Sequence, residues 1–288
     1  MTAYAIPRTV TIPVAGGALL MAQEYLPDGP VDPQLPTVVL AHGWTLNRNA
    51  WRPVVEALHA THPVRVIAYD HRGHGQSTMG DDAEVSVREL GRDLHEVITA
   101  LAPEGPLVLG GHSMGGMTIM ALAGQFHTVL QERVQGVTLV ATAASVAGRK
   151  VIPLESMVMG IAKRAPQIAP GWLVPTAIEG PRLFGKGASK ADMAETVAMI
   201  QQCKMPTIGR YFDALSRHDE VSSLAHFVDV PTDVFSGTED QLTPVSWGRR
   251  LADGIPGAHF TALEGLGHML PYEATDLVTA SLARHLTA

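Results

Sequence analysis

The octapeptide GGHSMGGM, residues 110–117, sets one serine among glycines and methionines, between the apolar run PLVLG and the helically patterned MTIMALAGQF. Gly111-His112-Ser113-Met114-Gly115 matches G-x-S-x-G. The chemistry such a pattern serves is nucleophilic. A tight strand-to-helix turn forces the serine into a strained backbone conformation and exposes its hydroxyl. The glycines carry no Cβ, so strand and helix can close on one another. The start of a helix also brings unpaired backbone N–H groups to the same spot. A glycine-rich turn with a passive serine is the plain structural alternative. A phosphate-cradling loop is excluded, because no Gly-Lys-Ser/Thr follows.

A serine hydroxyl needs a general base, and the base needs a carboxylate to orient it. At an elbow of this kind the partners follow in the order Ser, acid, His. His268 lies in LEGLGHMLPYEA, a glycine-flanked loop after the last strand-like run. The rival histidines sit elsewhere: His71 and His74 in DHRGHGQS, and His42 just before Gly43. Several carboxylates compete as the acid. Asp233 falls inside a strand, Asp229 precedes that strand at the far edge, and Asp219 lies in the charged run RHDE. Asp70 precedes the serine and has Arg72 close by as an ion-pair partner. Glu239 and Asp240 share the loop VFSGTEDQLTP, where the turn before Pro244 can aim one of them inward. A tetrahedral intermediate needs two N–H donors. Met114 would supply one, and the loop after TVVLAHG the other, through the backbone of Trp44.

These residues need elements to hold them, and the chain alternates strand-like and helix-like runs. RTVTIPV and ALLMAQEYL read as a hairpin around Gly16-Gly17, followed by the strands TVVLAHG (37–43) and VRVIAYD (64–70). Helices are expected over 49–61, over 86–102 with Val87, Leu90, Leu94, Val97, Ile98 and Leu101 on one face, and after Ser113. VQGVTLVATA (134–143) is a further strand. Residues 144 to about 213 break the rhythm, with little strand character, prolines at 153, 166, 170, 175, 181 and 206, and five of the 12 methionines between Met157 and Met205. Alternation resumes with a strand at 230–237, a helix at 244–254, a strand at 258–265 and a helix at 274–286. Repeated strand–helix units predict a mostly parallel sheet covered on both faces. The 144–213 block reads as a helical insertion over the C-terminal strand edge, where sites in open α/β sheets lie.

Composition narrows the field. At 288 residues, 46% hydrophobic and 17% charged, the chain can build a large core. A formal net charge of −7 with no basic stretch argues against nucleic acid as a partner. Cys203 is the one cysteine, so neither an internal disulfide nor a cysteine metal site is expected. HxxH at 71–74 lacks further ligands at suitable spacing, and no metal or cofactor is expected. The opening MTAYAIPRTVTIPV has no basic start followed by an apolar block, so it does not read as a secretory signal, and a cytoplasmic location fits. The most apolar long window, 107–124, holds His112, Ser113 and glycines, and reads as buried strand and helix rather than a membrane span.

HGWTLNRNAW, VIAYDHRGHGQS, GGHSMGG, SGTEDQLTP and GLGHMLPYEA each resemble a motif of the α/β-hydrolase superfamily, in the family's order. The resemblance covers about 1–143 and 214–288, and 144–213 is similar to the superfamily's caps by position alone. It implies an eight-stranded, mostly parallel sheet flanked by helices, with a helical cap inserted after the sixth strand. It also implies Ser113 as nucleophile, His268 as base, Asp240 as acid at the second position of ED, and Trp44 and Met114 as oxyanion-hole donors. Asp70 and Arg72 would tie their loop. Serine at the elbow sets the chain apart from epoxide hydrolases and haloalkane dehalogenases, and HGW is not the HGGG run of one lipase and esterase branch. The implied activity is hydrolysis of a small carboxylic ester through an acyl-enzyme. The methionines would form an apolar acyl pocket or simply pack the cap helices. Cofactor-free perhydrolase or haloperoxidase-like chemistry, carbon–carbon hydrolase or lyase chemistry, and a non-catalytic ligand receptor on the same fold are the alternatives.

Overall fold

The central strands have no polar face, and that decides the architecture. β4 (Val66–Tyr69) and β5 (Leu107–His112) are buried at every residue, so both faces of the sheet must be covered. The computed structural model describes residues 7–27, 34–81, 85–149, 153–169, 171 and 176–287. The first six residues of the N-terminal stretch, with Pro170 and Pro175, lie outside them.

β1 (Arg8–Pro13) and β2 (Leu19–Tyr25) form the expected antiparallel hairpin, and β2 runs antiparallel to β4. β3 (Thr37–Ala41), β4, β5, β6 (Val134–Val140), β7 (Thr232–Gly237) and β8 (His259–Leu263) are mutually parallel. The eight-stranded order is β1-β2-β4-β3-β5-β6-β7-β8. Strand order reverses at β3, so the crevice between the C-terminal ends of β3 and β5 is the topological switch point, where open α/β sheets bind ligands.

α1 (Arg52–His59) and α11 (Thr275–His285) cover one face, and α2 (Val87–Leu101) and α3 (Met114–Gln125) the other. Ser86 caps α2 by accepting from the Glu89 N–H at 3.0 Å, and the predicted apolar face is buried. α3 is buried from Met114 through Ala123, enclosed by sheet and α2, which is why its sequence shows no polar face. The run expected as one helix over 49–61 begins as a 3-10 turn, Arg48–Trp51, because Pro53 suits only the first turn of the α-helix that follows. α4 (His127–Arg133) was not anticipated; the chain breaks from α3 at Phe126, with φ of −133°. α9 (Val245–Asp253) and the one-turn α10 (Leu270–Glu273) complete the core.

Among the described residues, four α-helices stand between β6 and β7: α5 (Pro153–Ala162), α6 (Thr176–Leu183), α7 (Lys190–Gln202) and α8 (Met205–Ser216). They dock on loops that leave the C-terminal strand ends. Tyr211 of α8 donates to the Arg72 carbonyl at 3.0 Å, and Thr207 to that of Gly73 at 3.0 Å, both after β4. Phe212 lies 6.3 Å from the Trp44 ring, after β3. The end of α6 touches the loop after β8, where His268 donates its backbone N–H to the Leu183 carbonyl at 2.7 Å. The methionines of this block do not act as one set. Met157 is 58% exposed, whereas Met199 is buried with Leu46, Leu183, Phe184 and Met269.

Candidate active site

Ser113 sits between β5 and α3 with φ of +53° and ψ of −119°, a conformation that side-chain-bearing residues rarely adopt. The turn closes because its glycines are bare. A Cβ on Gly111 would meet the Gly116 Cα at 2.7 Å, and one on Gly115 would run into the Ala41 carbonyl oxygen. The Ser113 N–H donates to Val140 at 2.9 Å, and its carbonyl accepts from Thr142 Oγ1 at 2.7 Å. Its own hydroxyl makes no hydrogen bond among the described residues and is half-exposed. Across the switch point, Leu46 N–H closes a turn onto Gly43 at 3.2 Å, with Thr45 at φ of +64°. The two residues of the expected oxyanion pair, Trp44 and Met114, both present backbone N–H groups without an acceptor among the described residues. Three of the four non-glycine residues with positive φ among the described residues, Thr45, Ser113 and Ala141, lie at this edge. Strain concentrated where ligands bind is a mark of function.

His268 is buried, and its Nδ1 lies 2.8 Å from Asp240 Oδ2. Asp240 is saturated as an acceptor. Oδ1 takes the Leu242 and Thr243 N–H groups at 2.8 and 2.9 Å, and Oδ2 takes Thr243 Oγ1 at 2.7 Å. Burial works to raise this carboxyl, but His268 and the Thr243 donors outweigh it and hold it below the ordinary carboxylate range. A carboxylate ionised in this way keeps the Nδ1 tautomer protonated and stabilises an imidazolium. The His268 loop is tied to the elbow as well. His112 Nε2 lies 2.9 Å from the His268 carbonyl oxygen, with the two rings 4.9 Å apart.

The competing carboxylates are engaged or remote. Asp70 is fully buried, but its partner is Arg48 rather than Arg72, and its other oxygen accepts the Arg48 N–H at 2.8 Å. Arg72 instead pairs with Asp93 of α2 at 2.6 Å. Asp233 accepts from Ser281 and Arg284, both at 2.6 Å. Glu239, Asp219 and Asp229 are exposed. Sequence reasoning did not find the roles of Thr243 or the Leu183 carbonyl. The short spacing from Asp240 to Thr243 was a signal for the first, and a backbone carbonyl leaves none.

His42, His71, His74 and His112 lie fully buried around the β3 and β5 loops. His42 Nε2 accepts the His71 N–H at 2.9 Å, so the proton sits on Nδ1, which donates to the Gly43 carbonyl at 2.7 Å. Burial is the main force pushing His42, His74 and His112 down to about 3, and His71 falls too. These neutral rings are structural. Among the described residues no cluster of three or more potential ligands could hold a metal, and no helix is long and apolar enough to cross a membrane.

A doubly covered, mostly parallel sheet of this strand order, with a strained serine at its switch point, defines an α/β-hydrolase. The chain belongs to the family described as serine aminopeptidase, S33, whose model matches residues 32–275. RutD of Azorhizobium caulinodans, provisionally named a carbamate hydrolase, is 26% identical over 263 residues, covering 85% of this chain and 89% of its own. Non-heme chloroperoxidase CPO-A1 of Kitasatospora aureofaciens is 28% identical over 238 residues, 80% of this chain and 84% of the other. Among solved structures, an enol-lactonase from Burkholderia xenovorans superimposes with a TM-score of 0.77 at 25% identity, covering 97% of this chain and 100% of that one.

Proposed function

We propose that the chain is a serine hydrolase that cleaves a carboxylic ester through an acyl-enzyme. The observation that supports this most is the strained, unpartnered Ser113 on the same sheet edge as the 2.8 Å His268–Asp240 pair. Ser113 Oγ attacks the ester carbonyl while His268 Nε2 takes its proton, and Asp240 holds the imidazolium at Nδ1. The negative charge on the carbonyl oxygen is met by the Trp44 and Met114 N–H groups. His268 then returns the proton to the leaving alkoxide. Water, deprotonated by the same ring, hydrolyses the acyl-enzyme and releases Ser113. The helices between β6 and β7 act as a cap, and the apolar rings of Trp44 and Phe212 beside the oxyanion loop favour an apolar acyl group.

A fluorophosphonate tests the reading directly. It should label Ser113 alone, and the protein should turn over p-nitrophenyl acetate. The likeness to a chloroperoxidase favours one second reading, peroxide-dependent halogenation by the same three residues. Halogenation far outpacing ester cleavage would select it. Labelling that leaves Ser113 untouched would overturn both.

A further inference from the structure

The His268 loop carries a carboxylate that the proposed chemistry does not use. Glu273, at the end of α10, accepts hydrogen bonds from three backbone N–H groups. Gly267 donates to both of its oxygens at 3.1 Å, Met269 to Oε1 at 3.1 Å, and Gly185 to Oε2 at 2.6 Å. Two of those donors are the chain neighbours on either side of His268. The third follows α6. On the same side, the Leu183 carbonyl accepts the N–H groups of His268 at 2.7 Å and Met269 at 3.2 Å. A single side chain therefore ties both flanks of His268 to the segment 183–185.

We infer that Glu273 is a positioning residue for His268, fixing the ring's backbone against residues 183–185 and placing a second negative charge beside the imidazolium. The inference rests on His268 being the general base. Carboxylates that accept several backbone N–H bonds fix local geometry strongly. A general base must also meet the nucleophile within hydrogen-bond reach. A misplacement of about 1 Å can cost roughly 10²-fold in rate. Burial raises the Glu273 carboxyl above its ordinary value, with the three N–H donors and His268 opposing the rise. The other titratable groups recorded against this loop are Asp240, from the turn after β7, and His112, from the end of β5. An excision of the helices between β6 and β7 would thus remove a support of the base as well as a wall of the site.

The test compares E273Q and E273D with the parent on p-nitrophenyl acetate across pH, with folding checked by circular dichroism. An amide in place of the carboxylate turns a donor toward N–H groups. E273Q should lose about 10²-fold in kcat with little change in KM. Loss of the charge should also move the acidic limb of the kcat/KM profile to lower pH, because protonated His268 is then less stabilised. E273D keeps the charge but is one methylene short, so it should hold the limb in place and still lose kcat; it also carries the test if E273Q does not fold. A folded variant at the parental kcat with an unmoved limb would overturn the inference. Parallel H268A separates the two levels. If H268A retains turnover, the base assignment fails. If H268A collapses while E273Q and E273D match the parent, only the role of Glu273 fails.

Discussion

The serine loop and the histidine loop sit on one sheet edge, yet they are built differently. The elbow takes its turn from its own sequence, a positive φ at Ser113 and glycines that let Gly116 and Ala41 close in, and only its backbone is tied to neighbours, at Val140 and Thr142. The loop carrying His268 borrows its shape. Its N–H groups go to Leu183 and Glu273, and its ring to Asp240, which belongs to the turn after β7. A strained nucleophile can be made locally, because strain is a property of one turn. A base whose ring must meet both an acid and a serine is fixed only by groups that converge from distant parts of the chain.

The strongest way to sharpen this contrast is to remove each partner's reactive group. Ser113→Ala should cut ester turnover by about 10⁴-fold or more while the protein folds normally, since the hydroxyl makes no supporting bond. Asp240→Asn should cost roughly 10⁴-fold at neutral pH, by favouring the wrong His268 tautomer. Measured beside them, Glu239→Gln should stay near the parent, because that side chain is exposed. Asp70→Asn should lower the melting temperature more than kcat, because Asp70 serves the buried Arg48 pair. A collapse of kcat in Glu239→Gln with a normal Asp240→Asn would move the acid to the neighbouring position.

Acid separates the two loops next. The buried histidines cluster on the elbow side, around Gly43 and Ser113, whereas the base loop is supported by carboxylates. His42, His74 and His112 are pressed from 6.5 to about 3 in the fold, mainly by burial. Between those values the unfolded chain binds protons that the fold refuses. Their contribution to stability is therefore complete above about pH 6.5 and is lost as pH falls, by roughly 2 kcal/mol per ring at pH 5. Asp93, raised to about 6 by burial against the opposing pull of Arg72, offsets a small part. The unfolding free energy from urea titrations should fall by several kcal/mol between pH 7 and 5, with a lower midpoint. An unchanged midpoint would mean that these rings are not held neutral.

What the sequence disclosed follows the same divide. The alternation of strands and helices, the elbow and its glycines are readable because hydrophobic runs and turn chemistry act over a few residues. The contact of Asp240 with His268 could be anticipated because both loops follow strands at the same edge. The pairing of Arg72 with Asp93 rather than Asp70 depends on how α2 packs on the loop after β4, and no local spacing encodes that. Leu183 contributes only a carbonyl, which every residue owns. The methionine run divided between solvent and core because helix docking decides which side of α5 and α7 is covered. The break at Phe126 that separates α4 from α3 carries no proline, and Gly124 just before it still lies inside α3.

The smallest expected effects test the contrast at one carbon atom. On Gly115, an added Cβ strikes the carbonyl oxygen of Ala41 and approaches that of His42 at 2.9 Å. Ala41 ends β3, which is locked between β4 and β5, and His42 follows it directly, so neither can retreat. Gly115→Ala should therefore cost about 3 kcal/mol of stability, the upper end for overpacking. On Gly267, the same atom would lie 2.6 Å from the Gly185 nitrogen and 2.7 Å from the Leu183 oxygen. That neighbour is the chain leaving α6, outside the sheet, and it can shift outward. Gly267→Ala should then cost only about 1 kcal/mol in stability. The shift would draw the Leu183 carbonyl away from the His268 N–H, so kcat should fall by roughly 10-fold, short of the full penalty for a misplaced base. Urea midpoints and kcat on p-nitrophenyl acetate, measured for both variants, read the two effects separately. Equal stability losses would show that the histidine loop is as rigidly set as the elbow. A parental kcat in Gly267→Ala, with the stability cost present, would show that the Leu183 contact can be stretched without disturbing the base.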